Sequence, residues 1–285
     1  MTGRALIVTA DDVGLHRGMT EGTIRAHRDG IVTACSLVAN GAAFDDAVAR
    51  LRDTPSLEVG VHLTLVEEKP LTAMRFPHKY TSFVPLYLLR AIPSRTIEAE
   101  LRAQIEKVLA TGLRVTHLNG HQHLHLLPRI FAMVKKLAAE FSIGYVRTVV
   151  DGTPGSRRLA GRRPGAPERR RDAAGPAGGD AGVPRSLAIA ALNFLGRRAQ
   201  GTNQRTIGVA AAGHLDDVVP LLDHVEGLTE LVTHPGVAVT GYDHWRYAWD
   251  AETRALCDPR LRDELARRGI ELTTPSRVSA LPPRG

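Results

Sequence analysis

At 285 residues, with 43% apolar and 24% charged positions, the chain is long enough to bury one large core or two ordinary ones, and it is neither disordered nor fibrous in composition. A net charge of +7 would suit a nucleic-acid binder, but seven arginines against three acids between 155 and 182 account for +4 of it, with no aromatic platform beside them, so no nucleic-acid partner is expected. The longest nearly apolar run, from Leu187, is half of the roughly 20 residues a membrane span requires, and Cys35 and Cys257 cannot build a disulfide framework; a cytoplasmic setting is expected.

The opening MTGRALIVTADD lacks the basic and apolar regions of a signal peptide. RALIVTA (4–10) predicts a buried strand, and RGMTEGTIRAHRDG a helix that stops at Gly30. A strand over 32–39, a helix over AAFDDAVARLR and a strand over 57–65 follow. A helix is predicted from Ser94, its N-cap, with Ile97, Leu101, Ile105, Val108 and Leu109 on one face. RVTHLN reads as the fourth strand. Pro128 opens the helix RIFAMVKKLAAEF, because proline fits a first helical turn. IGYVRTV is the fifth strand. The Arg-, Gly-, Pro- and Ala-rich stretch at about 151–184 reads as a loop or insertion within a single domain spanning 1–285. Beyond it come a helix at 186–198, a strand near 205–210, a helix at 216–225, the strand LTELVTH, a helix from Ala251 to Arg268 and a final strand IELTT. Eight strands interleaved with helices predict a parallel α/β architecture, a (β/α) barrel by size, with an open doubly wound sheet as its rival.

Chemistry-bearing residues gather at the predicted strand ends. Asp11 and Asp12 end the first strand, His62 lies near the end of the third, His117 and His121 straddle the end of the fourth, and His234 ends LTELVTH. In parallel α/β folds those ends converge on one face. Neighbours in a strand point to opposite faces, so Asp11 and Asp12 can act together only where the strand curls. The segment THLNGHQHLHLLP adds His123 and His125, and its four histidines cannot all bind one ion. Two histidines and a carboxylate leave coordination positions open for water and substrate. A metal in such a set lowers the pKa of bound water from 15.7 to about 7 and polarises a carbonyl. A second aspartate to take a proton and a histidine to give one complete the parts for hydrolysing an amide or ester. Trp245, Tyr247 and Trp249 are candidates for stacking on a sugar or for packing in the core.

LIVTADDVGLHRGMTEGTIRAHRDGIVTACSLVANG, SLEVGVHLTLVEEKPLTAM and THLNGHQHLHLLPRIF resemble the YdjC/ChbG-type carbohydrate deacetylases, including the hopanoid-associated HpnK branch. The likeness covers most of 4–149, is poor over 151–205, and returns weakly in ELVTHPG and RLRDELARRGIELTT. It implies an irregular (β/α) barrel related to the polysaccharide deacetylases, and metal-dependent removal of acetyl from an N-acetylated sugar, of the chitooligosaccharide kind or borne on a lipid. It further implies one divalent metal, Mg²⁺ or Zn²⁺, on Asp12, His62 and His121, with Asp11 as base and His234 as acid or oxyanion partner. His125 and Arg147 fall at positions expected to contact substrate. Asn119 stands where members of the family often carry Asp. A metal-dependent esterase or phosphoesterase and a silent carbohydrate-binding relative are the competing readings, and a homodimer is left open.

Overall fold

The first strand, β1 (Arg4–Val13), is buried along nearly its whole length and organises the sheet. The computed structural model describes residues 3–73, 75–150, 185–198 and 201–279; the stretch expected to be an insertion at about 151–184 lies outside them. The remaining strands are β2 (Ala34–Leu37), β3 (Glu58–Leu63), β4 (Val115–Gly120), β5 (Tyr145–Val146), β6 (Arg205–Ile207), β7 (Leu228–Thr233) and β8 (Ile270–Leu272). They form one sheet in the order β5-β4-β3-β2-β1-β7-β6, every pairing parallel. β7 takes one edge of β1 from Ala5 to Ala10, and the other is shared by β8 at Arg4–Leu6 and β2 at Thr9–Val13.

The sheet curls until its outer strands approach each other. Thr202 N–H donates to the Val146 carbonyl at 3.0 Å, and Thr206 N–H to that of Val150 at 3.0 Å. Asn203 stitches the seam: its Oδ1 accepts from Thr148 N–H at 2.7 Å and its Nδ2 donates to the Thr148 carbonyl at 2.8 Å. The result is the irregular (β/α) barrel.

Helices cover the outside: α1 (Arg17–Arg28), α2 (Phe44–Arg52), α3 (Tyr80–Leu88), α4 (Ser94–Leu109), α5 (Pro128–Glu140), α6 (Arg185–Arg198), α7 (Trp249–Leu256), α8 (Arg260–Arg267) and α9 (Pro275–Ser279). The main core lies between them and the sheet's outer face, with Leu6, Val8, Val61, Leu101, Ile105, Leu118 and Val134 fully buried. A smaller group, Ile7, Ala34 and Tyr145 with Leu228 and Val278, fills the bottom of the barrel.

Several elements depart from expectation. Pro93, not Ser94, caps α4, and Ser94 is its first residue. The helix expected over 216–225 is a 3₁₀ turn, Val219–His224, with Pro220 near its start. The helix expected over 251–268 is two, because Pro259 disfavours helical backbone at Asp258. Pro259 is the N-cap of the second, and Asp258 Oδ1 just ahead of it accepts from Arg260 N–H at 2.9 Å. β5 is shorter than the expected 143–149, and β6 ends before Gly208, whose φ of 89° turns the chain. Helix α3 was not expected. It buries only Phe83 and Tyr87 and contains Pro85, so the sequence carries no helical stripe there. No described helix is long and apolar enough to cross a membrane.

Candidate active site

Strand alternation sends Thr9 and Asp11 of β1, Ser36 of β2, His62 of β3, His117 and Asn119 of β4, Arg147 after β5 and Glu230 of β7 into the barrel. All of them are buried, and they bond to one another along its axis. At the bottom of this column Glu230 accepts from Tyr145 Oη at 2.8 Å, Thr9 Oγ1 at 2.7 Å and Arg147 Nε at 2.9 Å. Arg147 turns its fork upward, Nη1 to Asp11 Oδ2 at 2.5 Å and Nη2 to Asp11 Oδ1 at 2.9 Å. Burial by itself would raise the Asp11 carboxyl, but the Arg147 guanidinium outweighs it and holds the group well below the usual carboxylate range. His117 fits beside the axis because residue 60 is glycine; a Cβ there would lie 2.3 Å from its ring. Burial lowers the His117 pKa to about 4, and its Nε2 meets Ser36 Oγ at 3.2 Å.

Asn119 links the column to the mouth. Its amide nitrogen donates to Asp11 Oδ1 at 3.1 Å and Ser36 Oγ at 2.7 Å, which leaves Oδ1 to accept from His62 Nδ1 at 2.7 Å. His62 therefore carries its proton on Nδ1 and presents the Nε2 lone pair toward Asp12 Oδ1, 3.3 Å away. Two acceptors facing each other at that distance call for a cation.

Asp12 reaches this place through its backbone. Its φ of 65° is left-handed, and the register with β2 slips between Ala10 and Val13. Strand alternation is broken there, and both neighbouring carboxylates serve one site. Asp12 Oδ1 is 3.0 Å from His121 Nδ1, whose Nε2 is 3.0 Å from Glu67 Oε2. Burial disfavours the imidazolium, but Asp12 and Glu67 outweigh it and push the His121 pKa up to about 10. Asp12 in turn is held well below the ordinary carboxylate range, burial being overcome by His121 and His62.

Asp12, His62 and His121 offer ligand atoms all within 4.8 Å of one another. The set suits a divalent cation on two grounds. His62 is oriented by Asn119 with Nε2 free, as ligating imidazoles are. Asp11 and Glu230 share the guanidinium of Arg147, so it does not balance the buried carboxylate of Asp12, whose Oδ1 is left to the imidazoles of His62 and His121.

His234 stands across the mouth, Nε2 3.9 Å from Asp12 Oδ2. Its placement depends on two glycines of α1: a Cβ at Gly22 would meet Gly236 Cα at 2.4 Å, and one at Gly18 the Val237 carbonyl at 2.1 Å. The loop after β7 can therefore lie directly on the helix. Behind His234, Glu252 accepts its backbone N–H at 2.6 Å. Burial pushes the Glu252 carboxyl up to about 8 despite that bond.

Two expected substrate contacts are placed elsewhere. Arg147 is fully buried with its fork spent on Asp11 and Glu230, so it faces the barrel axis and not the mouth. His125 is buried, its Nε2 donating to the Arg147 carbonyl at 3.1 Å, and burial lowers its pKa to about 3. The aromatic group divides. Trp249 is core, packed with Leu15, Met19 and Val38. Half-buried Trp245 stacks on His121 with centroids 5.4 Å apart, and Tyr247 meets His234 edge-on at 5.3 Å. Beside them is a cleft of 490 Å³ lined by Tyr242, Tyr247 and Trp249 among others. Sequence reasoning did not single out Glu67, Glu230 or Glu252. The signal available for Glu230 was an acid inside an otherwise apolar strand, whereas Glu67 sits on a loop with no pattern to expose it.

Fold and site together define an irregular parallel barrel with a buried Asp/His/His group able to hold a metal at the C-terminal ends of its strands. The chain belongs to the YdjC-like protein family, whose model matches residues 5–267, including the stretch where the likeness read from sequence is poor. It is 37% identical over 147 residues to a carbohydrate deacetylase of Brevibacillus brevis (strain 47), a match covering 48% of this chain and 57% of that one, so the chain spans a little over half the length of that relative. A crystal structure from Enterococcus faecalis V583, of a protein provisionally named for cellobiose-phosphate cleavage, superposes with a TM-score of 0.68 at 20% identity, covering 97% of this chain and 99% of that one. At that identity the likeness establishes the shared fold.

Proposed function

We propose that the protein is a metal-dependent hydrolase that removes acetyl from an N-acetylated sugar, of the chitooligosaccharide kind or carried on a lipid. The observation that carries this reading is the group Asp12, His62 and His121, within 4.8 Å, beside an Arg147-bound Asp11 and across from His234. Asp12, His62 and His121 would hold one Mg²⁺ or Zn²⁺, which when bound polarises an amide carbonyl and acidifies water.

The rest falls to the chain's own groups. Asp11, kept ionised by Arg147, takes a proton from the attacking water through Oδ2, which has one protein donor against two at Oδ1. Asn119 fixes the His62 tautomer. His234, across the mouth from Asp12, would pass a proton to the leaving amine. Trp245 and Tyr247, rather than His125 and Arg147, form the wall a sugar ring would meet. We read the whole chain as one domain of this type in a cytoplasmic setting, with about 151–184 as an insertion.

The test is acetate release from N-acetylated chitooligosaccharides, using chelator-treated protein reloaded separately with several divalent metals. Release lost on chelation and restored by metal is the expected result. Folded, metal-loaded protein that frees no acetate from any acetylated sugar would overturn the proposal.

A further inference from the structure

Between Lys69 and Ile97 the chain contains no acidic residue, but it contains Lys69, Arg75, Lys79, Arg90 and Arg95. The same segment supplies Leu71, Leu86, Leu88 and Leu89, four of the five large apolar side chains exposed among the described residues; the fifth is Phe194. Leu88 and Leu89 are 67% and 77% exposed at the end of α3, where Arg90 follows with a φ of 58°. Helix α3 is anchored from its other side. Phe83 and Tyr87 are buried, Arg129 N–H donates to Tyr87 Oη at 3.0 Å, and the Arg129 guanidinium lies 4.3 Å from the Tyr87 ring centroid.

That anchor fixes where the leucines point from. Arg129 belongs to the first turn of α5, directly after the turn that carries His121. The loop leading into α3 begins at Glu67, which bonds His121, and Glu67 N–H donates to the His78 carbonyl at 2.7 Å. The leucine tip therefore stands at the same end of the barrel as the candidate active site.

We infer that the α3 tip docks the protein on an anionic lipid surface, Leu86, Leu88 and Leu89 entering the interface while the exposed Arg90 and Arg95 that follow them face the headgroups. Exposed leucines on a segment that carries five cations and no acid have the composition of an interfacial anchor. A second copy of this chain is a poorer occupant. A two-fold contact through the tip would set Arg90 and Arg95 of one copy against the same residues of the other, with no acid between Lys69 and Ile97 to relieve them. The inference goes beyond the deacetylase reading and does not depend on it.

The test is co-sedimentation of the full chain with vesicles of phosphatidylcholine alone or mixed with phosphatidylglycerol, across a range of salt. Binding to the anionic vesicles that weakens as salt rises is expected. The variant L88S/L89S should bind roughly tenfold more weakly with an unchanged melting temperature, since it alters only exposed side chains. Three outcomes would overturn the inference. One is no binding to either vesicle. Another is binding that L88S/L89S leaves intact, which would assign it to the arginine-rich stretch. The third is a dimer in light scattering that L88S/L89S dissolves, which would make the tip a contact between copies.

Discussion

The axis of the barrel and its rim are built on opposite rules. Along the axis, Glu230, Arg147, Asp11 and Asn119 are buried and each is held by at least three hydrogen bonds, so every side chain fixes the next. On the outside, Arg50 shares half-buried Asp46 and exposed Glu21 in ion pairs, and Leu88 and Leu89 stand in solvent. Buried polar groups are expensive unless fully satisfied, whereas exposed ones have water as an alternative partner. The axis should therefore tolerate almost no change, and the rim a great deal.

The largest effect should come from the group that joins the axis to the chemistry. Asp11→Asn preserves shape but removes the proposed base, and turnover should fall by about 10²–10⁴. Bound metal should be retained, because Asp11 is outside the Asp12, His62 and His121 group. His121→Ala should instead lose the metal, read by elemental analysis of the purified protein. Normal turnover in either variant would break the assignment.

Stability separates the two regions next. Arg147→Met leaves Asp11 and Glu230 buried without their shared cation, and a loss of about 3–5 kcal/mol is expected in urea unfolding. Arg50→Met also cuts two ion pairs, but on a side chain that is 40% exposed, and should cost less than about 1 kcal/mol. Equal losses would erase the distinction between axis and rim.

Much of the axis was legible in the sequence. Polar residues at alternate positions of apolar strands, Thr9 and Asp11, His117 and Asn119, are what a barrel with a polar interior requires. The strand ends that carry Asp12, His62, His121 and His234 followed from the parallel order, which gathers C-terminal ends on one face. What stayed hidden was inward against outward. An arginine near a site reads as a substrate contact, and nothing local says that Arg147 turns toward Glu230 across the barrel, a partner 83 positions away. Helix α3 was invisible for the opposite reason. Its apolar residues face solvent as well as core, so no periodic stripe exists to be read.

Glu252 offers a finer probe of the packing behind His234. An unfolded glutamate gives up its proton near 4.5, while burial keeps the proton on Glu252 up to about 8 in the fold. Over that window the folded form binds more protons than the unfolded one, so stability falls as pH rises from about 4.5 toward 8. Glu252→Gln has nothing to titrate. Its unfolding free energy, measured at several pH values between about 5 and 8, should lose that part of the decline. An unchanged slope would show that Glu252 ionises normally in the fold.

Trp245→Ala has a small expected effect, and it tests the rim at its point of contact with the site. The indole is half-buried and stacks on His121 at 5.4 Å with an interplanar angle of 27°. It touches Tyr242 and Tyr247 on its other sides, and no hydrogen bond from the buried column ends on it. Its loss should leave the melting temperature nearly unchanged. A sugar ring that stacks beside His121 would lose a contact of about 1 kcal/mol, which raises KM about fivefold with kcat largely kept. A fall in kcat at constant KM would mean that the indole holds His121 in place, and the boundary between axis and rim would then have to be drawn outside Trp245.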